Sequence, residues 1–168
     1  AKNGMGYVPK DRELEGLMMA ASIRDNINLM SMDKVKKGFL ITSGATRKLA
    51  EEQVDMLSIK IGGLELPVSS LSGGNKQKVS IAKCMANDVQ IFIMDCPTRG
   101  IDIGVKAAIY RLLEQFKAQG RAILMISEEL PELLGMADNL LIMKDGEITA
   151  HIRRSPEVSE HDVIVKMI

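Results

Sequence analysis

The sequence predicts an α/β fold in which helices flank a parallel sheet. From residue 76 onward, short apolar runs alternate with longer stretches whose apolar residues recur every three or four positions. Such alternation is typical of a layered fold with a parallel sheet. The chain has 168 residues, of which 46% are hydrophobic, so it can bury one good core. We therefore expect one domain, with room for a small appended lobe.

The first part of the chain contains one clear strand and one clear helix. Met5–Val8 is short and apolar and is followed by Pro9, which is typical of a strand end. Residues 17–30 mix apolar and polar side chains, and residues 33–37 are polar and are interpreted as a loop or a helix end. Residues 46–57 carry apolar side chains at spacings of three and four, which predicts an amphipathic helix.

Two helices with clear boundaries are predicted in the middle of the chain. Ser72 is a good N-cap, and the apolar residues after it suit one face of a helix. Asp102 caps the next helix, whose apolar residues keep a 3.6-residue period until Gly120 ends it as a C′ residue. The short apolar runs 91–95 and 122–126 are predicted to be buried strands.

The last part of the chain is expected to hold a short helix and a β-hairpin. The helix is predicted to follow Ser127-Glu128-Glu129-Leu130-Pro131 and to run through Leu134. Strands over 140–143 and 147–150 flank an Asp-Gly turn, which is a strong hairpin signal. From His151 the tail is polar and ends in a weak helix.

Ser72 also opens a candidate anion-binding site. Gly73 and Gly74 occupy the first turn of the predicted helix, so no side chain blocks approach to the backbone N–H groups there. The start of a helix carries roughly half a positive charge, which makes a phosphate group a natural ligand. A Gly-Gly helix start is by itself more often only a turn.

Asp95 gives a second candidate site. A carboxylate at the carboxyl end of a buried parallel strand is well placed to hold Mg²⁺ beside phosphates. Pro97 then stops further strand pairing. An apolar strand ending in Asp is common, so the prediction depends on the combination of Ser72, Asp95 and the following Gly100-Ile101-Asp102.

These motifs resemble those of ABC ATPases. Leu71-Ser72-Gly73-Gly74-Asn75 resembles the signature, 91–95 resembles a Walker B strand, and Gly100-Ile101-Asp102 resembles the D-loop. The stretches 6–12, 95–104 and 130–135 are similar to the second of the two tandem cassettes of bacterial sugar importers. The resemblance covers nearly the whole chain.

The resemblance implies a P-loop-NTPase-like (RecA-like) α/β fold with a parallel sheet, flanking helices and a small helical subdomain that ends in the signature. By this division, residues 1–24 and 75–150 form the core, 25–74 the helical subdomain and 151–168 a C-terminal tail. No Gly-x-x-x-x-Gly-Lys-Ser/Thr sequence occurs in the 168 residues. The resemblance therefore implies a partial cassette without the P-loop, about its back two-thirds.

The resemblance also assigns roles to individual residues. It implies that Asp95 holds Mg²⁺, that Asp102 of the D-loop bridges a dimer, and that Lys10 lies at the Q-loop position, although a solvated polar loop is the plain interpretation of residues 10–13. The implied nucleotide-binding residues belong to the signature and the turn after it: Leu71, Ser72, Gly73, Gly74, Asn75 and Gln77.

Two positions depart from the pattern of a hydrolytic site. Cys96 stands where the family has the Glu that polarises water, and Glu128 stands at the position of the switch histidine. An ordinary thiol is mostly neutral at pH 7 and is a poor substitute for a carboxylate acceptor. Glu128 would repel a γ-phosphate unless a cation intervened. We therefore expect the chain alone to be inactive.

The predicted function is part of the ATP-binding subunit of an ABC sugar importer, with ATP and Mg²⁺ as cofactors. The implied partners are another cassette, membrane permease subunits and, indirectly, a sugar-binding protein, with the chain cytoplasmic on the inner face of the membrane. The alternative is a non-hydrolysing structural or regulatory half that completes a partner's site. A chromosome-maintenance ATPase shares the signature but would predict coiled-coil heptads and a basic surface.

Composition restricts these classes further. The formal net charge is zero and only 3% of residues are aromatic, which disfavours a nucleic-acid surface. No apolar run approaches the roughly 20 residues of a membrane span, and no signal-peptide pattern opens the chain. Cys84 and Cys96 make no disulfide framework and are expected to be free thiols.

Overall fold

A computed structural model describes residues 4–37 and 40–168. The chain forms two compact units, of which the first ends at Leu124 and the second begins at Met125. The boundary falls within a strand.

The described residues of the first unit form five strands, five α-helices, a π-helical turn and a 3₁₀ turn, and the last strand crosses the boundary between the units. In chain order they are β1 (Met5–Val8), a π-helical turn (Arg12–Gly16), α1 (Ile23–Asn28), α2 (Met32–Val35), β2 (Lys36–Lys37), β3 (Leu40–Ile41), α3 (Ser43–Met56), a 3₁₀ turn (Val68–Ser70), α4 (Gly73–Ala86), β4 (Ile91–Asp95), α5 (Ile103–Ala118) and β5 (Ala122–Ile126). The two-residue strands β2 and β3 pair antiparallel with each other.

The main sheet brings two strand ends to the same edge. Its strand order is β1-β4-β5, and β1 and β4 run parallel with Val8 opposite Met94. Since the carboxyl ends of parallel strands lie at the same edge of a sheet, Pro9 and Asp95 emerge close together. The sheet thus confirms the predicted α/β fold class and places the Asp95 carboxylate at a strand end.

The core lies on the side of the sheet covered by helices. Val8, Phe92 and Met94 alternate with more exposed residues along β1 and β4 and are fully buried. The rings of Phe92 and Phe116 of α5 stack with centroids 4.9 Å apart, and the Arg121 guanidinium lies over both. Burying two such side chains contributes several kcal/mol, roughly 3–5 per Phe by the cost of truncation.

Helices α1, α3 and α4 pack on one another beside the sheet. Ile23 and Ile27 on α1 and Val79 on α4 are fully buried in this contact region. Side-chain caps fix where the helices begin, because Ser22 accepts from the Asp25 N–H and Thr42 from the Ala45 N–H. The buried apolar residues, and not the caps, hold α4 against its neighbours.

The second unit is a hairpin covered by helices. It contains α6 (Leu130–Met136), β6 (Asn139–Lys144), β7 (Glu147–Arg153) and α7 (Glu160–Met167), with Leu140, Ile142 and Val163 at its core. Asp145 and Gly146 both have positive φ, as a tight hairpin turn requires. Ser159 and Asp162 form a capping box at α7, and the hydrogen bonds from Ser159 lower the pKa of Asp162.

The structure confirms most predicted elements and extends several. The strands at 5–8, 91–95 and 122–126 lie where they were predicted. Of the hairpin strands, β6 is one residue longer than predicted at each end and β7 extends to Arg153. The helix predicted over 46–57 begins at Ser43, because Thr42 caps it. The three-part division into core, helical subdomain and tail stays a prediction.

Candidate functional site

The signature sequence forms the start of α4. Leu71 is buried, and Ser72 is exposed at the N-cap position with extended backbone angles (φ −63°, ψ 157°). The Ser72 side chain does not cap a backbone N–H of α4. The N–H groups of the first helical turn therefore keep their capacity to bind an anion.

Asn75 determines what the Ser72 side chain does instead. The Asn75 Nδ2 donates to the Ser72 Oγ at 3.0 Å, and the Asn75 Oδ1 accepts from the backbone N–H of Lys60 at 3.0 Å. The Asn75 side chain thus links the helix start to the segment that follows α3.

A side chain would be crowded at both glycines of the signature, and more severely at Gly74 than at Gly73. A Cβ on Gly74 would lie 2.7 Å from Cγ1 of Val105, and a Cβ on Gly73 would lie 3.1 Å from Nη2 of Arg12. Neither glycine has a positive φ, so neither is required by backbone conformation. Gly74 lets α4 and α5 approach closely, and Gly73 makes room for a guanidinium.

Arg12 connects three segments around the start of α4, which we call the donor corner. Its Nη1 donates to the Arg99 carbonyl oxygen at 3.0 Å, and its Nη2 lies beside Gly73. The neighbouring Glu13 accepts from Nζ of Lys76 at 2.8 Å. The π-helical turn, the start of α4 and the turn after β4 are therefore held together. A guanidinium charge beside the positive end of a helix favours an anion at that place.

The π-helical turn is anchored to α4 at its other end as well. The Lys83 ammonium donates to the Gly16 carbonyl oxygen, and burial lowers the pKa of Lys83. Gln77 is also buried, with 1% of its surface exposed and its Nε2 without a hydrogen-bond partner among the described residues. Its nucleotide-binding role stays a prediction.

The carboxyl end of β4 carries negative charge. Asp95 is half-buried there, and desolvation together with the charges of Asp95 and Glu15 raises the pKa of the Tyr7 phenol. Within residues 4–37 and 40–168 there is no cluster of three or more His, Cys, Asp or Glu side chains suited to a metal. Mg²⁺ in nucleotide sites is held by one or two carboxylates together with phosphates and waters, so a single Asp95 fits that donor set.

The residues after Asp95 form a tight turn into α5. Cys96 is buried with a left-handed backbone (φ 46°), and Gly100 also has a positive φ. Asp102 is exposed and its Oδ1 accepts from the Val105 N–H at 3.0 Å, which confirms the predicted helix cap. Its dimer-bridging role stays a prediction.

The two remaining predicted site residues lie in different units. Lys10 is half-buried and directly follows Pro9 at the end of β1. Glu128 is exposed in the second unit, in a turn where the Glu129 N–H donates to the Ser127 Oγ at 3.0 Å. Their roles at the Q-loop and switch positions stay predictions.

Sequence reasoning did not assign Arg12, Lys60 or Val105 to the site. Arg12 stands among charged residues that are typical of a solvated loop, and Lys60 contributes only its backbone N–H. Val105 is one of the apolar residues of the helix that Asp102 caps, and its contact with Gly74 joins residues far apart in sequence. No local sequence signal indicates Arg12, because the helix start that it lies beside is distant in sequence.

Solved structures place the fold in a known class. The dimeric ATP-binding cassette MJ0796, in a post-hydrolysis state bound to ADP and Pi, superposes with a TM-score of 0.75 at 23% identity, over 89% of this chain and 62% of that one. A second dimeric structure of this bacterial ABC transporter cassette gives a TM-score of 0.74. The chain has the fold of part of an ABC cassette.

The sequence comparisons agree with the fold. The ABC transporter family model matches residues 1–99, which is more than half of the chain. The ribose import ATP-binding protein RbsA 2 of Streptomyces avermitilis is 45% identical over 161 residues, covering 96% of this chain and 32% of that protein. RbsA 2 of Rhizobium meliloti is 42% identical over 167 residues, covering 99% of this chain and 32% of that protein. The chain belongs to the ABC transporter family and spans about a third of the length of these relatives.

Among the described residues, no helix combines the length and the apolar character needed to cross a membrane.

Proposed function

We propose that this chain is part of the ATP-binding subunit of an ABC importer for sugars, and that the start of α4 binds the terminal phosphate of ATP held by a partner cassette. The observation that carries the proposal is the exposed, uncapped helix start at Ser72 with the Arg12 guanidinium beside it. Sugars as cargo are supported by the ribose import names of the relatives.

The proposed chemistry at this corner is positioning and charge stabilisation. The Ser72 hydroxyl and the backbone N–H groups of Gly73 and Gly74 donate to phosphate oxygens, and the helix start stabilises the negative charge. Phosphoryl transfer demands little covalent chemistry from the protein, so donors held rigidly at the terminal phosphate contribute much of the acceleration.

Asp95 is proposed to serve a different nucleotide, one bound to its own cassette. Its carboxylate would help hold Mg²⁺, which supplies charge neutralisation between phosphate oxygens when it is bound. The 168 residues contain no P-loop sequence, and Cys96 stands where a carboxylate acceptor is expected. We expect the 168-residue chain alone to leave ATP unhydrolysed.

Further partners follow from the same proposal. Membrane permease subunits would contact the chain from the membrane, and a sugar-binding protein would act indirectly through them. The chain would then lie in the cytoplasm against the inner face of the membrane. The family and the relatives' names support these proposals.

A second candidate function is a non-hydrolysing half that completes the partner's site and stabilises the dimer. Cys96 favours it, because a buried thiol in a tight turn replaces the carboxylate that would accept a proton from water. Both candidates require the corner at α4 to bind a terminal phosphate, and they differ only in what Asp95 and Cys96 do.

The test is ATP-dependent association with a cassette that carries a P-loop, prepared from one of the ribose import relatives. Sedimentation with a slowly hydrolysed ATP analogue gives the dissociation constant. Removing the Ser72 hydroxyl with Ser72→Ala removes a hydrogen bond to a charged group, so association should weaken about tenfold or more.

The matched control is Ser69→Ala, which removes a hydroxyl from an exposed serine just outside the signature. This variant should associate as the unchanged chain does. Association that is independent of the nucleotide, or equal for both variants, would contradict the proposal.

A further inference from the structure

The orientation of the Asn75 side-chain amide is fixed by its partners. The backbone N–H of Lys60 can only donate, so the Asn75 atom that faces it must be the carbonyl oxygen, Oδ1. The NH₂ group, Nδ2, must then face the Ser72 Oγ, 3.0 Å away. The assignment of oxygen and nitrogen follows from the hydrogen-bond network alone.

This orientation determines the direction of the Ser72 hydroxyl. An amide NH₂ group cannot accept a hydrogen bond, so the Ser72 oxygen uses a lone pair toward Asn75. Its own proton must point elsewhere. Because Ser72 is exposed and caps no N–H of α4, the proton is available to a ligand at the helix start.

The segment that carries Lys60 is itself held against α4. The Lys78 Nζ donates to the Ser58 carbonyl oxygen at 2.9 Å, and the Ile59 N–H donates to the Val54 carbonyl oxygen at 2.9 Å. These two hydrogen bonds hold the residues before Lys60 in place, so the Lys60 N–H keeps its position facing the Asn75 amide.

We propose that Asn75 is a positioning residue, which holds the Ser72 hydroxyl as a hydrogen-bond donor to the terminal phosphate delivered by the partner cassette. The inference rests on the proposed function and deepens it. Asn75 acts through Ser72 and contacts no phosphate oxygen itself. A hydroxyl that already accepts one hydrogen bond is also a stronger donor, because linked hydrogen bonds polarise one another.

The experiment is a double-mutant cycle on the dissociation constant for ATP-dependent association with the P-loop-bearing cassette. Its four members are the unchanged chain, Ser72→Ala, Asn75→Ala and the double variant. Asn75→Ala should weaken association about three- to tenfold, and the double variant should match Ser72→Ala within about twofold. A structural role of Asn75 would instead lower the affinity in both backgrounds.

Asn75→Asp supplies a second variant that keeps the shape of the side chain and the acceptor for the Lys60 N–H. The carboxylate has no hydrogen to donate, so the Ser72 hydroxyl turns its proton toward it and away from the phosphate. Association should weaken by more than with Asn75→Ala, although the thermal midpoint of this variant stays close to that of the unchanged chain.

The outcomes separate this inference from the proposed function. If Ser72→Ala associates normally, the proposed contact itself is wrong. If Ser72→Ala weakens association but Asn75→Ala has no effect, or has the same effect with and without the Ser72 hydroxyl, the proposed contact stands and the positioning role of Asn75 is overturned.

Discussion

The start of α4 and the carboxyl end of β4 are two corners of the same unit with opposite chemistry. The corner at α4 offers hydrogen-bond donors and positive charge from Ser72, the helix start and Arg12. The corner at β4 offers the Asp95 carboxylate, with Glu15 also contributing negative charge nearby. The first corner suits an anion and the second a cation, so we propose that they serve the phosphate and the Mg²⁺ of two different nucleotides.

The two corners also differ in what fixes them. Side-chain contacts hold the donor corner: Asn75 to Lys60 and Glu13 to Lys76, and Arg12 also ties it to Arg99 in the turn after β4. At the other corner the chain passes through a turn with positive φ at Cys96 and Gly100 before Asp102 caps α5. We propose that this preorganised half-site is donated to a partner, although the neighbouring half-site departs from the hydrolytic pattern.

The largest expected effect would come from giving the β4 corner a carboxylate acceptor. In a cassette completed with the upstream portion of a ribose import relative, Cys96→Glu should raise ATP turnover about 10²- to 10⁴-fold, the usual contribution of a general base. Steady-state phosphate release measures it. Cys96→Gln matches the size of the Glu side chain without its basicity and should leave turnover low. An unchanged rate with Cys96→Glu would show that this position does not limit the reaction.

The second effect concerns the other cysteine, which lies on α4 beneath β1. Cys84 is fully buried, its Sγ donates to the Tyr7 carbonyl oxygen at 3.7 Å, and burial raises its pKa from 9.0 to about 11. The unfolded chain therefore loses this proton at lower pH than the folded chain. The contribution of the buried thiol to the free energy of unfolding is fully present below pH 9. It is lost as the pH rises through 11, by about 3 kcal/mol in total.

Urea unfolding between pH 8 and pH 11.5 checks this expectation. As the pH rises, the free energy of unfolding of the unchanged chain should fall by this amount relative to that of Cys84→Ser. The reason is that serine does not titrate in this range. A difference that stays constant across the range would mean that the buried thiol is not the titrating group.

A smaller effect distinguishes glycines at equivalent places in two helices. Gly74 and Gly44 are each the second residue of their helix, but a Cβ would meet Val105 at 2.7 Å in the first case and nothing within 4 Å in the second. Gly74→Ala should destabilise the fold by roughly 1–3 kcal/mol, and Gly44→Ala should be neutral or stabilising by up to about 1 kcal/mol.

Thermal and urea melts of the two variants give these differences directly. Val105→Ala in the Gly74→Ala background should recover part of the loss, since it removes the methyl groups that the new Cβ meets. Equal effects of the two glycine substitutions would show that the contact between Gly74 and Val105 does not explain Gly74.

Local signals predicted the elements of this fold well. The Asp102 cap, the Gly120 C′ position and the strand at 91–95 depend on neighbouring residues, and the structure confirms them. The plain interpretation of residues 10–13 is a solvated polar loop, whereas the structure forms a π-helical turn over Arg12–Gly16. The lysines and Glu13 that anchor it belong to contacts across more than 60 residues, which no local pattern contains.

The roles of the candidate site residues stay predictions, and the structure adds geometry that the sequence did not indicate. The sequence indicates Ser72 as an N-cap, and the backbone angles agree, yet the side chain pairs with Asn75 rather than with the helix backbone. The two glycines were expected to expose backbone N–H groups, and the structure adds that Gly74 accommodates Val105 and Gly73 accommodates Arg12. Each of these differences arises from tertiary packing between segments distant in sequence.

The most direct test follows the backbone amides of Gly73, Gly74 and Asn75 by NMR in the labelled chain while a P-loop-bearing cassette is added with ATP or with ADP. These two nucleotides differ only in the terminal phosphate. We predict that the three amide signals shift when ATP is present and stay in place with ADP. Equal shifts with both nucleotides, or shifts confined to other residues, would contradict the claim that this helix start binds the terminal phosphate.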